Sequence, residues 1–206
     1  WFIHPNGKPI YVNDKGFIVR DKNGKAIRII GAASNITERK KEEVLLLDKQ
    51  QITEEIAINE SLKTILETIT RVIEKNITDS ICAIQLIDLD GEHLHQGAAP
   101  NLPNTYNLAI EGIPVRDKTG SCGTAAFKKE MIFASDINTD PRWIDYKELA
   151  LSHGLKACWS MPIISNKDTV LGTISVYFKT IKKPKSMDVE VLKKISKYAR
   201  IAIEKE

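Results

Sequence analysis

Between Ile36 and Asp90 the sequence contains neither glycine nor proline, the two residue types that most disrupt a helix interior. Asn35 can cap a helix there, and Glu38, three positions on, can complete a capping box. A long helical stretch is therefore predicted to start at residue 35. Within it Ile58, Leu62, Ile65, Ile69 and Val72 alternate steps of four and three, a spacing that keeps one stripe and suits a coiled-coil seam. Asp48, Lys49, Gln50 and Gln51 interrupt the stripe upstream. Residues 59–61 predict a kink or a change of register, because Asn and Ser side chains compete for local backbone groups.

Before this stretch, runs of Ile, Val, Phe and Tyr in residues 1–33 are separated by Pro5-Asn6-Gly7 and Asp21-Lys22-Asn23-Gly24, which predicts about three antiparallel strands. So few strands cannot bury an apolar face alone, and the segment reads as part of a larger unit. After the helical stretch, strand signals at 81–89 and 93–98 flank the hairpin turn Asp90-Gly91. An irregular segment spans 100–115, and Gly120-Ser121-Cys122-Gly123-Thr124 opens a short helix. Residues 131–135, 156–164 and 169–178 read as strands, 146–153 as a short helix, and Gly172 suits a bulge or close backbone approach. The last helix starts at Ser186, with Val191, Ile195, Tyr198 and Ala202 on one stripe and Leu192, Ala199 and Ile203 on the next. This order predicts an antiparallel α+β domain over 59–206, and a 42% hydrophobic chain can supply its core.

Thirty basic against 27 acidic residues leave a net charge of +3, short of the excess expected of a nucleic-acid binder. Three widely spaced cysteines, Cys82, Cys122 and Cys158, argue against a secreted disulfide framework and for a reducing compartment. No apolar run reaches the roughly 18 residues needed to span a bilayer, and residues 1–9 do not form a signal peptide. The expectation is a cytoplasmic protein with neither membrane nor nucleic acid as partner. The chain begins at Trp1, has no Met before Met131, and ends within a predicted helix. It therefore reads as a piece of a longer protein, with a further domain after Glu206.

Gly16-Phe17, Arg20-Asp21, Gly24, Arg28, Gly31 and the run Asn35-Ile36-Thr37-Glu38-Arg39-Lys40 resemble the end of a PAS domain, although that family usually has Asp where Asn35 stands. The resemblance implies that residues 1–36 are the last PAS strands and that 37–58 form a connecting signalling helix. A second series resembles a GAF domain of bacterial multidomain sensors, those joined to histidine kinase, diguanylate cyclase or cyclic-dinucleotide phosphodiesterase modules. It runs through Leu86-Ile87-Asp88, Asp90-Gly91, Ala99-Pro100, Leu102-Pro103, residues 120–126, Asp136-Ile137, Asp140-Pro141, Trp143, Ala157-Cys158-Trp159-Ser160, Pro162-Ile163 and Leu171-Gly172-Thr173. This implies a GAF fold over 59–206: a six-stranded antiparallel sheet with helices on one face, a small-molecule pocket on the other, and dimerisation through terminal helices.

Cys122 falls at a predicted helix N-terminus, where free N–H groups and the helix dipole can stabilise a thiolate; the alternative is a small residue that fits a tight turn. Trp143, Tyr146, Cys158 and Trp159 can line a ligand pocket or serve simply as core. His93 and His95 share a strand face, but nothing completes a four-ligand set, so no metal is expected. Leu151 stands where GAF-type free methionine-R-sulfoxide reductases carry their catalytic Cys, and Cys158 where they carry a substrate-binding Glu. Asp145-Tyr146 replaces the Cys-His pair of bilin-binding relatives, and the Asn-Lys-Phe-Asp-Glu signature of cyclic-nucleotide relatives is absent. The expectation is a sensory module with no catalytic residues and no bilin. Ile58, Leu62, Ile65, Ile69, Val72, Val191, Ile195 and Tyr198 would form the dimer seam, and an unknown small ligand would signal through it to an output domain. The alternatives are a ligand-free dimerisation module and, less well supported, a reductase.

Overall fold

The structure, a computed structural model, describes residues 2, 3 and 9–206, with side chains from Ile10 onward. It divides into two compact units, Trp1–Leu47 and Asp48–Glu206, so the division falls inside the first helix. In the first unit β1 (Phe2–Ile3) pairs antiparallel with β2 (Pro9–Ile10); the expected Pro5-Asn6-Gly7 turn and His4 lie outside the described residues. β3 (Val12–Arg20) and β4 (Ala26–Asn35) form an antiparallel ribbon that sets Phe17 opposite Ile30. Asp21 makes its turn: the carboxylate Oδ1 accepts the N–H groups of Asn23 and Lys25, both at 2.9 Å. Gly24 takes φ +81°, which favours glycine. Phe17, Ile29 and Ile30 are exposed on this ribbon, as expected of strands that lack a covering layer. α1 (Thr37–Ala57) starts where Asn35 Oδ1 accepts the Thr37 N–H at 2.9 Å, while Glu38 binds Lys41 at 3.1 Å.

In the second unit the chain reverses completely at residues 58–61. Asn59 adopts φ +58°, and Ser61 Oγ accepts the Thr64 N–H at 3.2 Å to open α2 (Leu62–Asn76). The end of α1 then lies antiparallel to α2. Asp48 accepts from Lys75 at 2.7 Å and Asn76 at 3.1 Å, Glu55 accepts from Thr68 at 3.1 Å, and Ile52 is fully buried. The expected dimer seam is corrected here: Ile65, Ile69 and Val72 are buried in the core of their own chain, while Ile58 is exposed and Leu62 half-buried. The four-three spacing cannot distinguish a seam between two chains from a stripe that faces its own sheet.

β5 (Ser80–Ile87), β6 (His93–Ala98), β7 (Ile113–Pro114), β8 (Ile132–Ala134), β9 (Ala157–Ile164) and β10 (Val170–Phe178) form one six-stranded sheet in the order β7-β6-β5-β10-β9-β8. Every neighbouring pair is antiparallel. Between them lie α3 (Asn104–Ala109), α4 (Gly120–Lys128), a 3-10 turn at Pro141–Trp143 and α5 (Lys147–Ser152); α6 (Ser186–Lys205) closes the unit. Thus α3 occupies part of the segment read as irregular.

Strand alternation sorts the buried side chains. Cys82, Ile84, Ile174, Val176, Phe178 and Trp159 share one face, covered by α2 and α6, which also pack on each other. Each fully buried Ile or Leu there contributes about 1.5–3 kcal/mol. Ala83, Gln85, Thr173, Ser175, Tyr177, Cys158 and Ser160 share the opposite face, roofed by α3, α4 and α5. α2 and α6 thus share one face, and short helices roof the pocket side. Gly172 holds the centre together: a Cβ there would meet the Gln85 carbonyl oxygen at 2.1 Å, so no larger residue fits the β5–β10 pairing.

Candidate functional site

The pocket face is assembled around the start of α4. Gly120 enters the helix at φ +59°, and a Cβ on it would lie 3.7 Å from the Trp143 ring. At Gly123 a Cβ would come within 2.5 Å of the Pro114 carbonyl oxygen, so a bare backbone there lets α4 sit against β7, while Gly120 supplies the positive φ of the entry turn. Trp143 is placed by its own loop. Asp140 accepts the Arg142 backbone N–H at 3.0 Å and binds the Arg142 guanidinium at 2.8 and 2.5 Å. The same guanidinium donates to the Phe133 carbonyl on β8 at 3.1 Å. The Trp143 indole then donates to Ser121 Oγ at 3.0 Å, and Ser121 donates to the Cys158 carbonyl at 3.2 Å.

Cys122, Trp143 and Tyr146 converge on one pocket, with Tyr106, Ile110 and Tyr177 as its other large walls. These side chains fill the space themselves. Tyr106 meets Tyr177 edge-on, with ring centroids 5.6 Å apart. Cys158 lies on the same sheet face and packs in the cluster that holds Trp143, Tyr106 and Tyr177. Trp159 does not belong to this pocket and its assignment is corrected: the next residue on a strand faces the other way. Its ring packs against Phe178, tilted by 50° with centroids 4.3 Å apart, and lies 6.4 Å from Phe133, and its Nε1 donates to the Lys182 carbonyl at 3.1 Å.

Ile195 is also reassigned, being fully buried beside Leu192 and Ala199 on the inner face of α6. Val191 and Tyr198 are half-buried. Sequence reasoning passed over Met187 and Ile201, which are exposed and continue the outer stripe Met187, Val191, Lys194, Tyr198, Ile201 in steps of four and three. It also passed over Tyr106, hidden in the segment read as irregular, and Tyr177, whose alternation with Val176 on β10 was available to find it.

Burial pushes the Cys122 thiol up to about 11, despite backbone N–H groups of Gly123 and Cys122 that pull the other way. Burial also raises the thiols of Cys158 and Cys82. All three cysteines are free. Desolvation therefore outweighs the helix terminus and holds Cys122 as a buried, protonated thiol.

His93 and His95 sit at the sheet edge. Asp88 Oδ1 accepts the backbone N–H groups of Glu92 at 2.9 Å and His93 at 3.0 Å, and these bonds form the hairpin turn. His93 Nδ1 lies 3.2 Å from Asp88 Oδ2, and His95 Nδ1 lies 2.8 Å from Glu111 Oε1. Ligand atoms of Asp88, Asp90 and His93 lie within 4.8 Å of one another, an arrangement that the turn's own bonding accounts for. Among the described residues no helix is long and apolar enough to cross a membrane.

Comparison with known proteins agrees with this architecture. The chain is 33% identical over 199 residues to a methyl sulfide methyltransferase-associated sensor of Methanosarcina acetivorans; the match takes in 97% of this chain and 20% of that protein. The chain thus spans a fifth of the length of that relative. Among solved structures, a GAF sensor protein from Burkholderia vietnamiensis superposes with a TM-score of 0.62 at 16% identity, over 78% of this chain and 93% of that one. The free methionine-R-sulfoxide reductase of Neisseria meningitidis, in complex with its substrate, gives 0.62 at 17% identity over 80% and 88%. A domain of a two-component sensor histidine kinase protein from Sinorhizobium meliloti gives 0.58 at 17% identity over 70% and 92%. These structural likenesses share the fold. The GAF domain profile matches residues 61–203, most of the chain, and on that extent of agreement the chain belongs to the GAF domain family.

Proposed function

We propose that this chain is the sensory and relay segment of a cytoplasmic signal-transduction protein, itself without catalytic residues, and that residues 1–36 are the end of a PAS domain. The relay works as a homodimer in which a small ligand in the GAF unit biases the packing of α6 against its copy, and α6 passes the change to an output domain. The observation that carries this reading is the outer stripe of α6. Leu192, Ile195, Ala199 and Ala202 are buried on the inner face, which leaves Met187 and Ile201 exposed and Val191 and Tyr198 half-buried beside it. They repeat at heptad spacing with Lys194 between them, and a single polar seam position of this kind sets register. A ligand shifts such an equilibrium only by its differential affinity for the two packings.

The sensor name of the Methanosarcina relative supports the regulatory reading. The packed, protonated state of Cys122 and Cys158 supports the absence of thiol catalysis, and Leu151, where a reductase has its nucleophile, carries no reactive group. Native mass spectrometry of the purified chain tests the proposal, since it reads subunit number and retained small molecules together. A dimer that carries a defined extra mass is expected. A monomer with no added mass would overturn both the ligand and the relay.

A further inference from the structure

The sequence alone left His93 and His95 without the donors that a metal site needs; the fold supplies them. The two imidazoles stand at i and i+2 on β6, on one face of the sheet edge. Asp88 Oδ2 lies 3.2 Å from His93 Nδ1 and 3.7 Å from His95 Nε2. Ligand atoms of Asp88, Asp90 and His93 stand within 4.8 Å of one another. The turn's own bonding fixes both carboxylates through one oxygen each. Asp88 Oδ1 accepts the N–H groups of Glu92 and His93, and Asp90 Oδ1 accepts that of Glu92, so Oδ2 of each is left over. His95 is held from behind: its Nδ1 meets Glu111 Oε1 at 2.8 Å, and Glu111 Oε2 accepts the Gln96 N–H at 3.0 Å. An ionised carboxylate only accepts, so Nδ1 carries the proton, and Nε2 of the neutral ring presents a lone pair to Asp88. At 3.7 Å that gap is too long for a direct hydrogen bond. Two lone-pair atoms placed this way favour a positive charge between them.

We propose that Asp88, Asp90, His93 and His95 bind a divalent transition-metal ion that accepts mixed nitrogen and oxygen donors, Zn²⁺ above all, and that Glu111 orients His95 for it. Bonds of about 2.0–2.2 Å to one ion set neighbouring donors roughly 3–4 Å apart, the range in which both imidazoles stand from Asp88 Oδ2. The His93 ring is half-exposed, and a ring so placed changes rotamer readily enough to close the set. Imidazole beside carboxylate suits Zn²⁺, whereas Ca²⁺ and Mg²⁺ take oxygen donors. A carboxylate on the far nitrogen of a metal-bound histidine fixes the ring's orientation and raises its basicity, and Glu111, itself bonded at both oxygens, stands in that position. In the metal-free protein a proton takes the ion's place between Nε2 and Asp88. The site lies outside the aromatic pocket, but Glu111 directly follows Ile110, a wall of that pocket. An ion that holds His95 against Glu111 therefore steadies the segment that carries this wall, an input separate from any ligand within.

The test is calorimetric titration of the whole, tag-free chain with ZnCl₂, CaCl₂ and MgCl₂, together with nitrogen NMR of the histidine rings. It is repeated on His93→Gln, His95→Gln and Glu111→Gln, with His4→Gln as the control. Zn²⁺ is expected to bind at one equivalent per chain and to shift His95 Nε2 and His93 Nδ1, while Ca²⁺ and Mg²⁺ give no saturable heat. Each of the two histidine variants is expected to keep a native circular dichroism spectrum and to bind Zn²⁺ at least about tenfold more weakly, and Glu111→Gln to weaken it by about tenfold at unchanged stoichiometry. His4→Gln should bind as the parent does. The ring shifts are read on the parent, so they decide even where a variant unfolds. Zn²⁺ binding that is unchanged in both histidine variants, or that shifts neither ring, identifies an adventitious ion only and overturns the site. Uptake of Ca²⁺ in place of Zn²⁺ overturns the metal class and the imidazole ligation with it. No saturable uptake of Zn²⁺ by the parent overturns the proposal and leaves the relay reading standing, because that reading is judged by subunit number and retained mass.

Discussion

Trp143 Nε1 donates to Ser121 Oγ at 3.0 Å, and the same hydroxyl donates onward to the Cys158 carbonyl at 3.2 Å. One serine therefore ties the Pro141–Trp143 turn, the first turn of α4 and the middle of β9 into a single buried relay. Ser121→Ala leaves the indole N–H without its acceptor in a site that excludes water. We expect this to cost about 1–3 kcal/mol, read as a lower urea midpoint at unchanged slope, with the Trp143 environment perturbed in near-ultraviolet circular dichroism. An unchanged midpoint would show that the relay does not hold the pocket wall.

Thr173→Val should act in the opposite direction. It replaces a buried, unpartnered hydroxyl with a methyl group of the same shape, so the ligand-free protein should gain about 1 kcal/mol. Equilibrium denaturation of the variant beside the parent checks this. A clear loss of stability would mean that the hydroxyl is already paired in solution.

Much of this was legible in the sequence. Asp90-Gly91 marked the β5–β6 hairpin, Asp21 to Gly24 the β3–β4 turn, and residues 120–124 the start of α4, because each turn needs residue types that few other positions need. The break at 59–61 was legible as a break but not as a reversal; only the Asp48–Lys75 and Glu55–Thr68 contacts show that α1 folds back. The same limit explains Ile65, Ile69, Val72 and Ile195. Periodicity gives the stripe, and the identity of the covering partner depends on tertiary packing. Trp159 was misplaced by one step of strand alternation, which sequence alone could not phase. Thr173 drew no notice, because a neutral polar residue within a strand becomes informative only once its burial and lack of a partner are known.

Cys122 should be inert in the native state. Its thiol is raised to about 11, so near pH 8 it remains protonated as well as buried. We expect a thiol reagent such as DTNB to label it, like Cys82 and Cys158, only at the rate of opening or unfolding. Rapid labelling of Cys122 in the folded protein would contradict its assignment as a packing residue.

His95 links stability to pH. Its hydrogen bond with Glu111 raises its proton affinity above the ordinary value of 6.5, against a smaller opposing effect of desolvation, and the charges of Glu111 and Asp88 add to the rise. The folded state thus binds the proton more tightly than the unfolded chain does. The stabilisation is fully present below the unfolded value and is lost as pH rises through the raised folded value. The melting-temperature difference between the parent and His95→Gln should be largest below about pH 6.5 and shrink as pH rises above it. A difference that grows with pH would contradict the sign.

The central claim, that the outer stripe of α6 pairs with its copy, is tested most directly by sedimentation velocity over a concentration series, with the parent chain beside a Tyr198→Glu/Ile201→Glu double variant. Ile201 is exposed and Tyr198 half-buried, both outside the buried set Leu192, Ile195, Ala199 and Ala202, and circular dichroism will verify that the fold survives the change. The account predicts a parent that sediments as a dimer and a folded variant that sediments as a monomer. A parent that remains monomeric throughout, or a variant that dimerises as strongly as the parent, would contradict it.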